Sequence, residues 1–425
     1  MPRLFPTTVV LCLIALPAKA HLGAVGAADV TLQDDIDGAF ALQEPWGLVL
    51  GGGVDPAYWL CHELLSSPGV GVRPEFVRSP NGSMLAMTQL LSGSVIARES
   101  LYFSDDGCDW RPAGGATDLL VSVAAFHPTD PLRAIGGTSN YEIGAVENVL
   151  LLSTDGGQTF EVEQTFPGLL FRSAEFGPDG SAYAIAVSED ASTAYLLRSE
   201  DGAAPWTSAE LDSSSTKGPL FPELMGIDPS DPEVLWIRFD DASTDVLLRS
   251  TDGGSSLFVV TSTPEAIVDL IPGLDGDAWI TSGDRELWYA PGGSDFSPVP
   301  SPQVWGGTRQ GSQLFLATDS DRELAAAVRG QSSAFETVFE TLDLAGPLQC
   351  ASDSQVTAVC APLWDSLIND LELKANGLGN DDDSASEQED ERSTCDGCTS
   401  GGEASPAPGL FLLSLLAGFT LRRRS

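Results

Sequence analysis

Lysine is nearly missing from this chain: only Lys19, Lys217 and Lys374 occur in 425 residues, and 21 basic residues face 61 acidic ones, for a net charge of −40. That balance excludes nucleic acid as a partner, because phosphate recognition needs a basic footprint. It describes a well-solvated surface suited to saline surroundings. Histidine is equally scarce. His21, His62 and His127 are too scattered to build a His-based metal or nucleophile site, and Cys61-His62-Glu63 lacks the paired, closely spaced ligands of a zinc motif. No cofactor is expected. A spanning apolar segment is also lacking: the run Leu410 to Leu421 makes about 18 Å of helix, short of the ~30 Å hydrocarbon core.

What the chain does have is repetition. Val149-Leu150-Leu151-Leu152-Ser153-Thr154-Asp155-Gly156-Gly157-Gln158-Thr159-Phe160 reads as a buried strand running into a tight turn. Ser153 and Asp155 can bond the turn's own amides, Gly156 and Gly157 accept positive φ, and Phe160 restarts the chain as an apolar plug. Copies anchored on Ser104, Ser153, Ser199 and Ser250 recur every 46 to 51 residues, each keeping its Ser, Asp and first Gly, and the structural residues are Ser104, Asp106, Gly107; Ser153, Asp155, Gly157; Ser199, Asp201, Gly202; Ser250, Asp252, Gly254. The Ser104 copy is one residue short, and the Ser199 copy lacks its second glycine. Degenerate copies at Tyr58 to His62, Leu287 to Gly293 and Ala325 to Gly330 bring the units to seven.

The fullest unit has four strand-like pieces, Val123 to Phe126, Leu132 to Ile135, Val149 to Leu152 and Phe160 to Val162. Equivalent tight turns follow the first piece of several units: His127-Pro128-Thr129-Asp130-Pro131, Pro178-Asp179-Gly180, Asp228-Pro229-Ser230-Asp231-Pro232 and Leu274-Asp275-Gly276. A period near 50 with four strands per unit is that of propeller blades, because one such sheet cannot bury its faces alone whereas a closed ring buries them all. The expected fold is therefore all-β, a single propeller of seven four-stranded blades.

Its flanks differ in composition. Residues 1–20 carry Arg3, an apolar run and an Ala18-Lys19-Ala20 cleavage site, the pattern of a secretory signal. Residues 21–373 hold the propeller, opening with a strand candidate at Gly47 to Leu50 and ending with a short capping helix at Leu363 to Leu371. Asp34-Asp35-Ile36-Asp37 reads as solvated loop. Residues 374–394 form an acidic, self-repelling linker, and residues 395–425 hold Cys395-Asp396-Gly397-Cys398, the short apolar run and Arg422-Arg423-Arg424. Loss of the leader leaves six cysteines in an oxidising compartment. Placing Cys61 and Cys108 in the outer hairpins of adjacent blades predicts a Cys61 to Cys108 bridge. Cys350 with Cys360 would then close a small loop, leaving Cys395 and Cys398 for the tail.

The Ser-x-Asp-x-Gly turns resemble the Asp box, or bacterial neuraminidase repeat, which implies the outer hairpins of β-propeller blades. In the sialidases that carry it the boxes serve the fold, while chemistry uses three arginines, a Tyr with a Glu, and an acidic donor. The Phe/Tyr-Arg-Ile-Pro signature is absent here; Phe171-Arg172-Ser173-Ala174 is the nearest counterpart, and nothing marks three of Arg73, Arg78, Arg98, Arg133, Arg172 and Arg238 as a triad. The tail's order of Cys motif, apolar helix and Arg cluster resembles a MYXO-CTERM surface-sorting signal, with the arginines on the cytoplasmic side. That resemblance implies export to the cell surface or outer membrane of a Gram-negative bacterium, with the export and sorting machinery as partners, membrane association through the tail, and attachment near Cys395 and Cys398. The combined expectation is a surface-displayed, non-enzymatic propeller that binds a glycan, protein or matrix ligand. A glycoside hydrolase of sialidase or xyloglucanase type and a structural envelope protein are the alternatives.

Overall fold

In a computed structural model the chain forms seven four-stranded antiparallel sheets arranged as the blades of a β-propeller. The description covers residues 29–376, leaving out 33–39, 45, 53–54, 66–73, 89–90, 93–94, 97–100, 118, 140–147, 213–220, 242–243, 311, 320–324 and 332–333. The leader, the acidic linker past residue 376, the Cys395/Cys398 motif, the arginine cluster and the acidic run at 34–37 all lie outside it, and the first linker residues, Lys374 and Ala375, belong to a helix. Among the described residues no helix is long and apolar enough to cross a membrane.

Each blade takes its strands in chain order, and in blade 2 a separate two-stranded hairpin, Leu91–Ser92 with Val95–Ile96, lies between the second and third. Blade 1 runs Asp29–Leu32, Phe40–Glu44, Gly47–Gly52 and Asp55–Cys61. Blade 2 runs Glu75–Arg78, Met84–Met87, Leu101–Ser104 and Arg111–Pro112. Blade 3 comprises Val121–Phe126, Ala134–Thr138, Val149–Ser153 and Glu161–Thr165. Blade 4 comprises Leu169–Phe176, Ala182–Ser188, Ala194–Ser199 and Thr207–Glu210. Blade 5 is Phe221–Asp228, Asp231–Asp241, Thr244–Ser250 and Phe258–Thr263. Blade 6 is Ile267–Pro272, Ala278–Ser282, Leu287–Ala290 and Ser297–Val299, and blade 7 is Val304–Gln310, Gln313–Asp319, Ala325–Gln331 and Ala334–Glu340. First strands touch in succession from blade 2 to blade 7, and that of blade 7 touches that of blade 1, so they line the axis; blades 1 and 2 meet through apolar side chains that include Leu48, Trp59, Phe76 and Met84.

The sequence pattern explains which strand goes where. The third strand of blade 3, Val149–Ser153, is buried throughout, whereas fourth strands such as Thr207–Glu210 are exposed throughout and form the rim. Apolar side chains meet between blades rather than within one: Leu85, Met87 and Phe103 of blade 2 pack with Val121, Leu151 and Phe160 of blade 3. Two expected elements shift. The strand expected at Leu132 begins at Ala134, because the His127 amide donates to the Arg133 carbonyl and the Arg133 amide to the Asp130 carbonyl, at 3.0 Å each, which keeps both residues in the turn. Tyr58 to Cys61 is the fourth strand of blade 1, not a strand-turn copy; the third is Gly47–Gly52, and the tight pairing of Gly52 with Asp55 leaves no room for a Ser-x-Asp turn between them.

Past blade 7 the chain does not return to complete another sheet. Residues 345–348 run along the outermost strand of blade 1, with the Trp59 amide donating to the Gly346 carbonyl at 2.9 Å and the Leu348 amide to the Trp59 carbonyl at 2.8 Å. A short helix α1 (Gln355–Val359) and the longer α2 (Trp364–Ala375) follow, α2 burying Leu367 and Leu371 as the apolar spacing predicts. The disulfides are Cys61–Cys360 and Cys108–Cys350, with Cα separations of 5.4 and 5.6 Å, which corrects both expected pairings. The physical reason is this clasp: the C-terminal segment lies over blades 1 and 2 and presents one cysteine to each, so Cys61 and Cys108 bond to it and not to each other.

Candidate functional site

Five successive first strands, in blades 3 to 7, carry a β-bulge where they pair with the second strand, at Ser122, Arg172, Met225, Val268 and Trp305. A bulge leaves backbone groups out of the ladder. Here side chains of the preceding blade supply the partners. The Ser139 hydroxyl donates to the Phe171 carbonyl at 2.6 Å, and the Leu224 amide donates to the Ser173 hydroxyl at 2.7 Å. The Ile267 amide donates to Asp245 and the Gly307 amide to Asp269, each at 2.7 Å. The axial wall is thereby locked blade to blade, and polar side chains are brought to the axis.

Carboxylates gather there. Burial pushes Asp269 up against the pull of its two amide donors, Gly307 and Leu270, and nearby Glu223 pushes it further. Burial, then Glu223, also raises Glu75. Glu223 itself is paired with Arg238, 2.5 Å from its guanidinium, and Arg238 also reaches Asp245 at 3.9 Å and the Ile267 carbonyl. Among the described residues no group of three or more His, Cys, Asp and Glu is arranged to hold a metal.

Toward the end of the axis where the first strands turn into the second, blades 4 to 7 enclose a cavity of about 330 Å³. Register places Glu175 opposite Tyr183, as it places Ala125 opposite Ile135, Gly226 opposite Trp236, Ile271 opposite Trp279 and Thr308 opposite Phe315. One step along the strands the series reads Phe126, Phe176, Ile227, Pro272 and Arg309. Among blades 3 to 7 Glu175 and Arg309 are thus the two charge-bearing members of these layers, and both line the cavity. Burial alone pushes the Glu175 carboxyl up to about 8. The Arg309 guanidinium lies 5.6 Å from the centroid of the Trp279 ring, and its Nε and Nη1 are buried without a hydrogen-bond partner. Sequence reasoning missed both residues; the readable signal was a charged residue just before a first strand's turn, where blades 3, 5 and 6 have small or apolar ones.

The turn residues read from the sequence sit elsewhere, between third and fourth strands at the rim. In blade 3 the Ser153 hydroxyl donates to Asp155 and accepts from the Gly157 amide, each at 2.8 Å, while Asp155 accepts the Thr159 amide at 2.9 Å and its hydroxyl at 2.6 Å. Partial burial pushes the Asp155 carboxyl up, but these hydrogen bonds outweigh it and hold it below its ordinary value. Blade 5 repeats the pattern: the Gly254 amide donates to Ser250 at 2.8 Å and the Ser256 amide to Asp252 at 2.8 Å. In blade 2 the missing residue moves the bond to Gly107, whose amide reaches Ser104 at 2.9 Å, and Asp106 accepts only the Cys108 amide. In blade 4 Asp201 accepts the Ala203 amide at 3.0 Å, and the Ser199 hydroxyl turns to the Ala203 carbonyl.

The final glycine of each turn presses on the preceding blade. A Cβ at Gly157 would meet Leu85 at 3.1 Å, one at Gly254 would overlap Leu196, and one at Gly202 would meet Phe176 of its own blade at 2.8 Å before Ile135 of the preceding one at 3.4 Å. Of the six arginines weighed for a triad, Arg133 binds the Asp201 carbonyl in a rim turn, while Arg172 and Arg238 belong to the axial wall. Arg78 ends the first strand of blade 2, and Arg73 and Arg98 lie outside the described residues.

Sheet count and connectivity define the class: a seven-bladed β-propeller. No family model and no curated protein matches the chain. Among solved structures it is similar to puromycin hydrolase, with TM-score 0.51 and 16% identity over 76% of this chain and 55% of that one. It is also similar to YCF48 from Cyanidioschyzon merolae, with TM-score 0.46 and 12% identity over 74% of this chain and 95% of that one. A GH74 enzyme from Niastella koreensis gives TM-score 0.41 and 12% identity, over 74% of this chain and 66% of that one. The chain spans little more than half of the hydrolase. At these identities the likeness is one of fold.

Proposed function

We propose that this chain is an exported, surface-displayed, non-enzymatic propeller that takes its ligand at the axial cavity, with the four Ser-x-Asp turns acting as Asp boxes in a purely structural role. The observation that carries the reading is the placement of Glu175 and Arg309 in one cavity, because neither is needed to hold the ring. Blades 3, 5 and 6 fill those two layers without charge, and Arg78, which register places in the Arg309 layer of blade 2, does not line the cavity. The leader-like start and the Cys, apolar and Arg order of the tail support display at the surface of a Gram-negative cell, with a glycan, protein or matrix component as the ligand at large.

The test pairs glycan and protein arrays with hydrolysis assays on the full exported chain and on Thr308→Trp, which fills the cavity. Array binding lost in Thr308→Trp supports the reading. Turnover of a glycoside that disappears on changing Glu175 or Asp269 to the amide overturns it in favour of a glycoside hydrolase. Binding that survives the plug moves the site elsewhere on the ring.

A further inference from the structure

The axial reading leaves the chemistry of the ligand open, and three features of the cavity narrow it. The first is size: about 330 Å³ lies at the lower end of small-molecule sites and suits on the order of a dozen non-hydrogen atoms. The second is the wall. Met225, Ile227, Leu270 and Pro272, from blades 5 and 6, make its middle apolar. The third is the placement of the two polar residues. Glu175 belongs to blade 4 and Arg309 to blade 7, three steps apart in a ring of seven, or roughly 150° around the axis. They therefore stand at the two ends of the cavity rather than side by side.

Charge decides between anion and cation. Arg309 brings a guanidinium, and two of its nitrogens are buried with no acceptor, a costly state for a charged donor. At neutral pH Glu175 is mostly protonated, so it adds an O–H donor and little negative charge. Despite a whole-chain charge of −40, the cavity therefore presents one positive charge and one neutral donor with an apolar stretch between them. A cationic ligand would face Arg309 without an ionised partner to offset it.

We propose that the axial cavity binds a small amphipathic monoanion, its anionic group at Arg309, an apolar body against blades 5 and 6, and a hydrogen-bond-accepting group at Glu175. This deepens the axial-site reading and rests on it. A carboxylate-bearing metabolite and the carboxylate end of a larger chain share this chemistry.

The probe is 4-acetylbenzoate, titrated calorimetrically into the full exported chain beside 4-acetylbenzamide, 4-acetylbenzylamine and 4-isopropylbenzoate. The acid is expected to bind, the amide at least ~10-fold more weakly, the amine not at all, and the isopropyl acid, which lacks the acceptor, about 3- to 10-fold more weakly. Arg309→Met, which keeps the apolar stem, is expected to erase the preference for acid over amide. Glu175→Gln is expected to retain binding, since the amide still donates, and Glu175→Leu to erase the preference for the acetyl group. A peptide ending in 4-carboxyphenylalanine, binding as tightly as the free acid, points to the larger-chain source; binding of the free acid alone points to a metabolite. Equal affinity for acid and amide, unchanged acid binding in Arg309→Met, or no binding by any probe overturns the ligand class. If acid and amide bind alike and Thr308→Trp abolishes both, the axial site stands and only the anion falls. If Thr308→Trp leaves binding intact, the axial site itself falls.

Discussion

Blades 3 to 5 and the seam formed by blades 7, 1 and 2 meet the same demand, holding one sheet against the next, by different chemistry. In the middle of the ring the devices repeat: a bulge satisfied by the blade before it, a rim turn clamped by Ser and Asp, and a glycine seated on a neighbour's leucine or isoleucine. At the seam blade 7 keeps the bulge and blade 2 the rim turn, but further devices are added that occur once. Phe40 meets Phe339 at 5.5 Å, residues 345–348 add to the edge of blade 1, Trp364 lies over Trp59 at 5.9 Å, and two disulfides tie the C-terminal segment to blades 1 and 2. Many propellers share a blade between the two chain ends. This one keeps every blade consecutive, so the ring's ends are held by a clasp.

If the comparison is right, cutting the clasp should cost more than any one change in the middle blades. Cys61→Ser with Cys360→Ser opens a tie spanning 299 residues and is expected to lower stability by about 2 to 5 kcal/mol, read as a denaturant midpoint against the unreduced parent. Hydrogen exchange should rise first in blades 7 and 1; a uniform rise would mean that the seam is no weaker than the rest.

Next in size is a steric change at a rim turn. Gly254 has φ +87 and a Cβ there would overlap Leu196, so Gly254→Ala is expected to cost about 2 to 4 kcal/mol. Gly292 has φ +59 with nothing within 4 Å, so Gly292→Ala should cost only about 1 kcal/mol, from backbone strain alone. Equal melting shifts would show that the turn glycine is there for its backbone and not for its fit against blade 4.

These glycines show why one part of the molecule was readable and another was not. The four Ser-x-Asp turns were legible because each is made of residues within six positions of one another, and local hydrogen bonding needs only spacing. Blade number followed from counting seven strand-turn units, although the one at Tyr58 to His62 is a fourth strand and not a turn copy. The seam was not legible, because Cys61 and Cys360 are distant in sequence and nothing local distinguishes Cys360 from Cys108 as the partner. The blade 1 rim was misread for a related reason: Tyr58 to His62 has the composition of a strand and turn, but only the tight Gly52 to Asp55 hairpin fixes it as the fourth strand. The cavity fell between these cases. Glu175 and Arg309 sit on identifiable first strands, yet their shared cavity appears only when blades 4 and 7 are placed on one ring.

Two smaller effects separate the rim from the axis by pH. Asp155→Ala removes three hydrogen bonds and is expected to cost about 1 to 2 kcal/mol at pH 7. Because the folded carboxyl is held below its ordinary value, that contribution is present above the ordinary value and lost as pH falls through the folded one, so wild type and variant should converge in acid. Glu175 behaves oppositely. Below its ordinary 4.5 the carboxyl is neutral in both states and has no effect; between 4.5 and about 8 only the unfolded chain ionises, so stability falls, and above 8 the loss is complete. Glu175→Gln should therefore change nothing at pH 4 and stabilise by about 1 to 2 kcal/mol at pH 8, less than the full shift implies because Glu175 is only half-buried. Thermal melts of both variants across this range check the two signs together.

The claim that the ring is closed by its C-terminal segment is met most directly by proteolysis of the unreduced protein followed by mass spectrometry of the linked peptides. The account predicts Cys61 joined to Cys360 and Cys108 joined to Cys350. A peptide joining Cys61 to Cys108, with Cys350 joined to Cys360, would contradict it, because the C-terminal segment would then be free of blades 1 and 2.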